Sequence, residues 1–168
     1  WVDNGHVRAL GVVDAVMYPG TQAFMRWEYP SRLPEQVQER ALGVARRFLR
    51  AIGYRHGMFN LEFFHDAATD RLSVIECNPR LASQFGDLYR RVRGLDPHAM
   101  AVALAVGRDA LSAPRCEASA NVAASLVYRA FDAASVPPAP GKRERAALAR
   151  AFPDALMFSF PQTGAALT

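Results

Sequence analysis

The chain has 168 residues, 51% of them hydrophobic, which is enough for a packed core in one domain or two small lobes and too much for a disordered chain. Lysine and arginine number 20 against 16 aspartates and glutamates, a formal charge of +4; this suits a phosphate-bearing ligand but lacks the basic stripe with interleaved aromatics of a nucleic-acid binder. No apolar run reaches the roughly 20 residues that span a bilayer, and residues 1–5 do not read as a signal peptide. Cys77 and Cys116, the two cysteines, have no metal-like spacing and point to a reducing cytoplasm.

Taken in order, residues 7–18 are rich in valine and read as a strand entering from the Asn4-Gly5 turn. Pro19-Gly20-Thr21 ends it, and residues 23–29 return as a second strand with Phe24, Trp27 and Tyr29 as packing residues. Pro34 fits the first turn of a helix whose apolar positions Val37, Ala41, Val44, Phe48 and Ile52 recur at helical spacing, with Gly53 as terminator. Residues 57–65 and 72–77 are extended and joined by a polar turn over 66–71, which makes them antiparallel neighbours. A helix or loop-helix follows over 81–91. Asp96 as cap and Pro97 in the first turn then start a helix that stops at Gly107. Further on, 121–131 is expected as a strand, 137–141 as a stiff proline loop, 142–152 as a helix and 155–160 as a last strand.

The chemistry concentrates in Asn60-Leu61-Glu62-Phe63-Phe64 and Ile75-Glu76-Cys77-Asn78-Pro79-Arg80. With a period of two, Asn60, Glu62 and Phe64 share one face of the first strand, and Glu76 and Asn78 one face of the second. Magnesium prefers oxygen ligands, commonly one or two carboxylates with phosphate and water. Glu62 and Glu76 suit it, and the Asn78 amide oxygen adds a ligand without adding repulsion. Unaccompanied by a cation, two such glutamates raise at least one pKa and oppose folding. The Arg80 fork matches a phosphoryl group. The competing reading pairs the glutamates with Arg80, Arg71 or Arg8 on a solvated face.

This pattern resembles the magnesium- and phosphate-binding end of ATP-grasp enzymes, where a glutamate is followed about fourteen residues later by a Glu-x-Asn-x-Arg segment. The resemblance takes in the preceding helix and the Gly94-Leu95-Asp96 entry to the next, and covers about residues 5–109. It implies an α+β fold, the C-terminal subdomain of an ATP-grasp domain with antiparallel sheet packed by helices. It implies that Glu62, Glu76 and Asn78 bind magnesium, or manganese in its place, with Asn60 alongside. Arg80 would contact the terminal or acyl phosphate, so that Arg80, Glu76 and Asn78 are the catalytic set and Asn60, Glu62, Glu76, Asn78 and Arg80 bind ATP. Leu61 and Phe63 would belong to the core.

The implied activity is ATP-dependent carboxylate-amine or carboxylate-thiol ligation through an acyl phosphate. Alternatives are a biotin carboxylase or carbamoyl-phosphate synthase-like enzyme, and a noncatalytic nucleotide-binding scaffold. The first ATP-binding lobe and an N-terminal domain are expected to be missing, leaving a fragment inactive alone, and a homodimer is among the expected assemblies. Residues 1–112 are expected to form the lobe, and 113–168 an extension packed on or completing it.

Other residues carry plainer readings. Ser83, Gln84, Asp87 and Tyr89 follow Arg80 where similar ligases contact substrate, and capping or solvation explains them as well. Arg90, Arg91 and Arg93 read as a solvated helix end, with attraction of an acidic substrate or phosphate as the alternative; Arg8 and Arg26 read as surface groups, with a phosphate or substrate contact as theirs; and Cys77 reads as core packing. His56, His65 and His98 show no zinc motif.

Overall fold

The computed structural model describes residues 1–129, 131 and 140–158, in two compact units, Trp1–Val127 and Tyr128–Thr168. In the first, β1 (Val2–Asp3) and β2 (His6–Val7) form a small hairpin. β3 (Asp14–Met17), β4 (Phe24–Tyr29) and β7 (Ala123–Leu126) make an antiparallel sheet in the order β3-β4-β7. β5 (Asn60–Asp66) and β6 (Arg71–Asn78) form an antiparallel pair of their own. Helices α1 (Glu35–Ala51), α2 (Gly86–Arg93) and α3 (Pro97–Ala105) complete the unit. The α+β class and the antiparallel pairing agree with the sequence.

The single strand expected over 7–18 is instead two short strands separated by residues 8–13. The cause is local. Gly11 has φ +150 and lies against the Tyr29 ring, where a Cβ would stand 2.6 Å from ring carbon. The Leu10 carbonyl accepts from Tyr29 Oη (3.1 Å) and Arg93 Nη1 (2.8 Å), so side chains take a bond that a ladder would have used.

α1 follows Pro34 as expected, but its buried stripe is Val37, Ala41, Ala45 and Leu49. Val44 is half-buried, Phe48 is at the surface and Ile52 is 57% exposed. Hydropathy favours the large side chains, whereas Ala41 and Ala45 let the helix sit close to its neighbours. Leu49, 1% exposed, joins Val2 and Val7, with Tyr54, Phe59 and Cys77 packed around them. Cys77 is therefore a packing residue, and burial pushes its thiol pKa up; both cysteines are free thiols.

A second cluster gathers Tyr29, Ala82, Phe85, Leu88 and Tyr89, and a third Trp1, Met58, Leu95, Met100 and Ala110. α2 ends at Gly94 (φ +63), where a Cβ would stand 2.1 Å from the Cys116 carbonyl oxygen. Asp96 caps α3, accepting from His98 N (2.9 Å) and Ala99 N (3.3 Å). In the second unit α4 (Lys142–Ala151) matches the expected helix. Residues 155–158 are not a strand, because the alternation of Leu156 and Phe158 fits exposed coil as well. Residues 130, 137–139 and 159–160 of the expected elements lie outside the described residues. Among the described residues no helix is long and apolar enough to cross a membrane.

The buried stripe sets a stability contrast. Leu49→Ala is expected to cost about 2–5 kcal/mol, as deletion of a fully buried side chain does, and Ile52→Ala to stay within about 0.5 kcal/mol; urea titration of the two variants measures both.

Candidate functional site

β5 and β6 pair Asp66 with Arg71, His65 with Leu72, Phe64 with Ser73 and Phe63 with Val74. Continued unchanged, this register would set Glu62 opposite Ile75 and leave Glu76 on the other side of the sheet. A bulge intervenes. Beyond it the partners are Glu62 with Glu76, Leu61 with Cys77 and Asn60 with Asn78, and residues directly opposite one another share a face. Ile75, 63% exposed, is the surplus residue.

Both ends of the hairpin are fixed from outside it. At the base Val2 and Gly57 exchange backbone bonds (2.8 and 3.0 Å), and Cys77 packs beside Leu49. At the tip Asp70, in a left-handed conformation (φ 52), accepts from Arg40 of α1 and from His65 Nε2 (2.9 Å). Arg40 and then His65 hold the Asp70 carboxyl down at about 2. Between these anchors β6 has one residue more than β5, and it is extruded at Ile75.

The side chains then converge. Asn60 Nδ2 donates to Glu62 Oε1 (3.3 Å), Asn78 Nδ2 to Glu76 Oε1 (2.6 Å), and Arg80 Nη2 to Asn78 Oδ1 (3.5 Å). Burial, and after it the charge of Glu76, raise the pKa of Glu62; the Asn60 bond and the charge of Arg80 oppose them. Arg80 sits beyond the Asn78-Pro79 turn, exposed, with Nη1 also donating to the Leu81 carbonyl (3.4 Å). The five residues singled out from the sequence thus form one cluster. Its donor set is two carboxylates and two amide oxygens; among the described residues no group of three His, Cys, Asp or Glu converges as a metal centre. A donor set made of oxygen alone fits magnesium better than zinc.

The neighbours are already engaged. Arg90 pairs with Asp96 (2.7 Å), Arg91 with Asp87 (2.5 Å), and Arg93 reaches the Leu10 carbonyl, so the basic run braces α2. Tyr89 is buried with its ring edge-on to Tyr29 at 4.8 Å, and burial pushes its hydroxyl pKa up. Ser83 and Gln84 remain exposed in the turn after Arg80. Arg26 pairs with Glu28 (2.5 Å), which also takes Arg32 (2.5 Å). His56 and His98 lie beside Asp3 and Asp96, apart from the cluster. The residue that sequence reading missed is Ile75. Its signal was the mismatch between the turn and the Glu62–Glu76 spacing.

No protein-family model matches the chain. It is 42% identical over 79 residues, 46% of its length, to carnosine synthase 1 of Gallus gallus, of which it spans 8%. Its fold is similar to phosphoribosylglycinamide synthetase from Anaerococcus prevotii, with a TM-score of 0.58 and 15% identity, over 67% of this chain and 29% of that one. It is also similar to the biotin carboxylase domain of 2-oxoglutarate carboxylase from Hydrogenobacter thermophilus, solved as a dimer with MgADP, ADP and bicarbonate. There the TM-score is 0.54 at 23% identity, over 64% of this chain and 23% of that one. These likenesses to solved structures are likenesses of fold.

The raised Glu62 pKa has a defined consequence for stability. The folded state holds the Glu62 proton more tightly than the unfolded chain, so this group's contribution is present at low pH and is lost as pH rises past the ordinary 4.5 and through the folded value. Glu62→Gln removes that loss. Urea titrations across this interval are expected to show the variant gaining on the parent protein as pH rises; a parallel pair of curves would contradict the assignment.

Proposed function

We propose, for a chain whose fold is that of the C-terminal part of an ATP-grasp domain, that it supplies the magnesium- and phosphate-binding side of an ATP-dependent carboxylate-amine ligase. The single observation behind this reading is the placement of Glu62 directly opposite Glu76 on one sheet face, with burial and mutual repulsion raising the Glu62 pKa. Two carboxylates held so are unfavourable by themselves and become favourable around a divalent cation.

In this reading Glu62, Glu76 and Asn78 hold magnesium or manganese, and Asn60 orients Glu62 through its amide. Magnesium, when bound, supplies the positive charge that screens the polyphosphate of ATP. Arg80, exposed and bonded among the described residues by long contacts to Asn78 and Leu81, would swing its fork onto the terminal phosphate and stabilise charge as that phosphoryl group passes to a substrate carboxylate. An amine, or a thiol, then displaces phosphate from the acyl phosphate. Positioning is the larger part of the chain's task. Ser83 and Gln84, exposed just past Arg80, would in this reading meet the carboxylate substrate. Residues 1–112 carry this site, and residues 113–127 extend the lobe, β7 by adding to β4.

The similarity to a carnosine synthase supports the amine as nucleophile, and the small shares of those proteins that the chain spans support a reading in which the rest of the grasp is supplied by further parts of the protein. In a biotin carboxylase-like enzyme, bicarbonate would take the place of the carboxylate.

The test is magnesium-dependent ADP release by the full-length protein, with and without candidate carboxylates, amines and bicarbonate. Release is expected to require a carboxylate and to rise with an amine. Glu76→Gln is expected to lower it at least about tenfold, since loss of even an outer-shell partner does as much to a metal site. The urea midpoint should not fall, since the position is exposed and loss of its charge relieves the repulsion on Glu62. Undiminished release in that variant, or release driven by bicarbonate alone, would redirect the assignment.

A further inference from the structure

The outward face of α1 carries an open groove of about 720 Å³ that the proposed chemistry leaves unused, lined among others by Gln36, Glu39, Gly43, Arg47 and Leu72. Because Val37, Ala41, Ala45 and Leu49 turn inward, Gln36, Gly43, Arg47 and Arg50 fall on the opposite side at helical spacing. Gly43 is the unexplained member. Glycine inside a helix is unfavourable, its φ is not left-handed, and a Cβ there would meet nothing nearer than Arg47 Nη1 at 3.7 Å. Nothing among the described residues calls for glycine at this position, whereas a second backbone crossing there would.

The charges around Gly43 are arranged for such a crossing. Glu39 lies four residues before it and Arg47 four after, both exposed. They are about 12 Å apart along the helix axis, too far to pair with each other, and among the described residues neither has an ion-pair partner. A second copy of α1 laid antiparallel, with its own Gly43 against this one, sets Glu39 of each copy beside Arg47 of the other and Gln36 beside Arg50. Arg40, also on the groove, is already held by Asp70 and so adds no free charge of its own. Val44 and Leu72 supply apolar floor on one side.

We propose that the outward face of α1 is a twofold interface between two copies of this chain, with Gly43 at the axis and reciprocal Glu39–Arg47 ion pairs flanking it. Isologous pairing of this kind needs a self-complementary surface, and an acidic half and a basic half around a glycine provide one. A single helix pair falls at the small end of interfaces, below about 1,200 Å², so the dimer is weak and concentration-dependent. Its exposed ion pairs make it salt-sensitive.

Sedimentation velocity on the full-length protein, over a wide concentration range at low and high salt, tests this. The expected result is a reversible dimer that weakens with salt. Glu39→Arg and Arg47→Glu should each weaken it at least about tenfold, and the double exchange E39R/R47E should restore it to within about threefold. Gly43→Gln, which leaves the charges intact, should also dissociate it. All these side chains face outward, so far-ultraviolet circular dichroism should be the same for every variant. A protein that stays monomeric throughout, a dimer indifferent to either single reversal, or a double exchange that fails to recover pairing would overturn the proposal.

Discussion

Everything at the candidate site depends on one extra residue in β6. An antiparallel hairpin keeps its facing residues on a common side only while its register holds, and the register dictated by the turn would have sent Glu76 and Asn78 to the side opposite Glu62 and Asn60. The bulge at Ile75 changes that parity. It brings two carboxylates and two amides onto one surface, with Arg80 just past the strand end.

A bulge persists only if the strand cannot relax by sliding, and α1 prevents sliding at both ends. Leu49 packs in the cluster that holds Cys77, so slipping the base of β6 would take the thiol out of the core and put Glu76 in. Arg40, two and a half turns earlier on the same helix, grips Asp70 at the tip, where His65 also bonds it. The helix thus does more than cover the sheet. Its inner stripe and one outward arginine fix the two lengths of strand whose difference is taken up at Ile75.

The sequence made the parts of this arrangement legible more readily than their registration. The strand pair, the caps at Pro34 and Asp96, and the cluster of Asn60, Glu62, Glu76, Asn78 and Arg80 rest on local signals, proline and aspartate chemistry and polar residues recurring where a core would be aliphatic. What failed locally was decided at a distance. The break at residues 8–13 comes from Tyr29 and Arg93 claiming the Leu10 carbonyl, and neither partner is near it in sequence. The α1 stripe turned on Ala45 rather than Val44 because close approach, not hydropathy, selects small residues. The bulge was readable in principle: the expected turn and the fourteen-residue spacing of the glutamates are incompatible in an unbroken ladder. Alternation along each strand does not reveal this, since it says nothing about which faces meet.

The charge balance of the cluster also limits what can occupy it. Two carboxylates face each other with one guanidinium near, and the two asparagines are neutral. Each amide now donates to a glutamate, which relieves repulsion without cancelling charge. If the asparagines were lysines, the site with Arg80 would carry a net positive charge and repel a cation; if they were aspartates, repulsion would raise the cost of holding the hairpin together. Amides relieve part of the repulsion between the glutamates and add no charge of their own, which is the balance the proposed divalent ion requires. Arg80 stands at the exposed edge rather than between them, where the proposed role needs its charge to face an anion. A surface that is acidic at its centre and basic at its rim is complementary to a metal-phosphate pair, and to neither ion nearly so well alone.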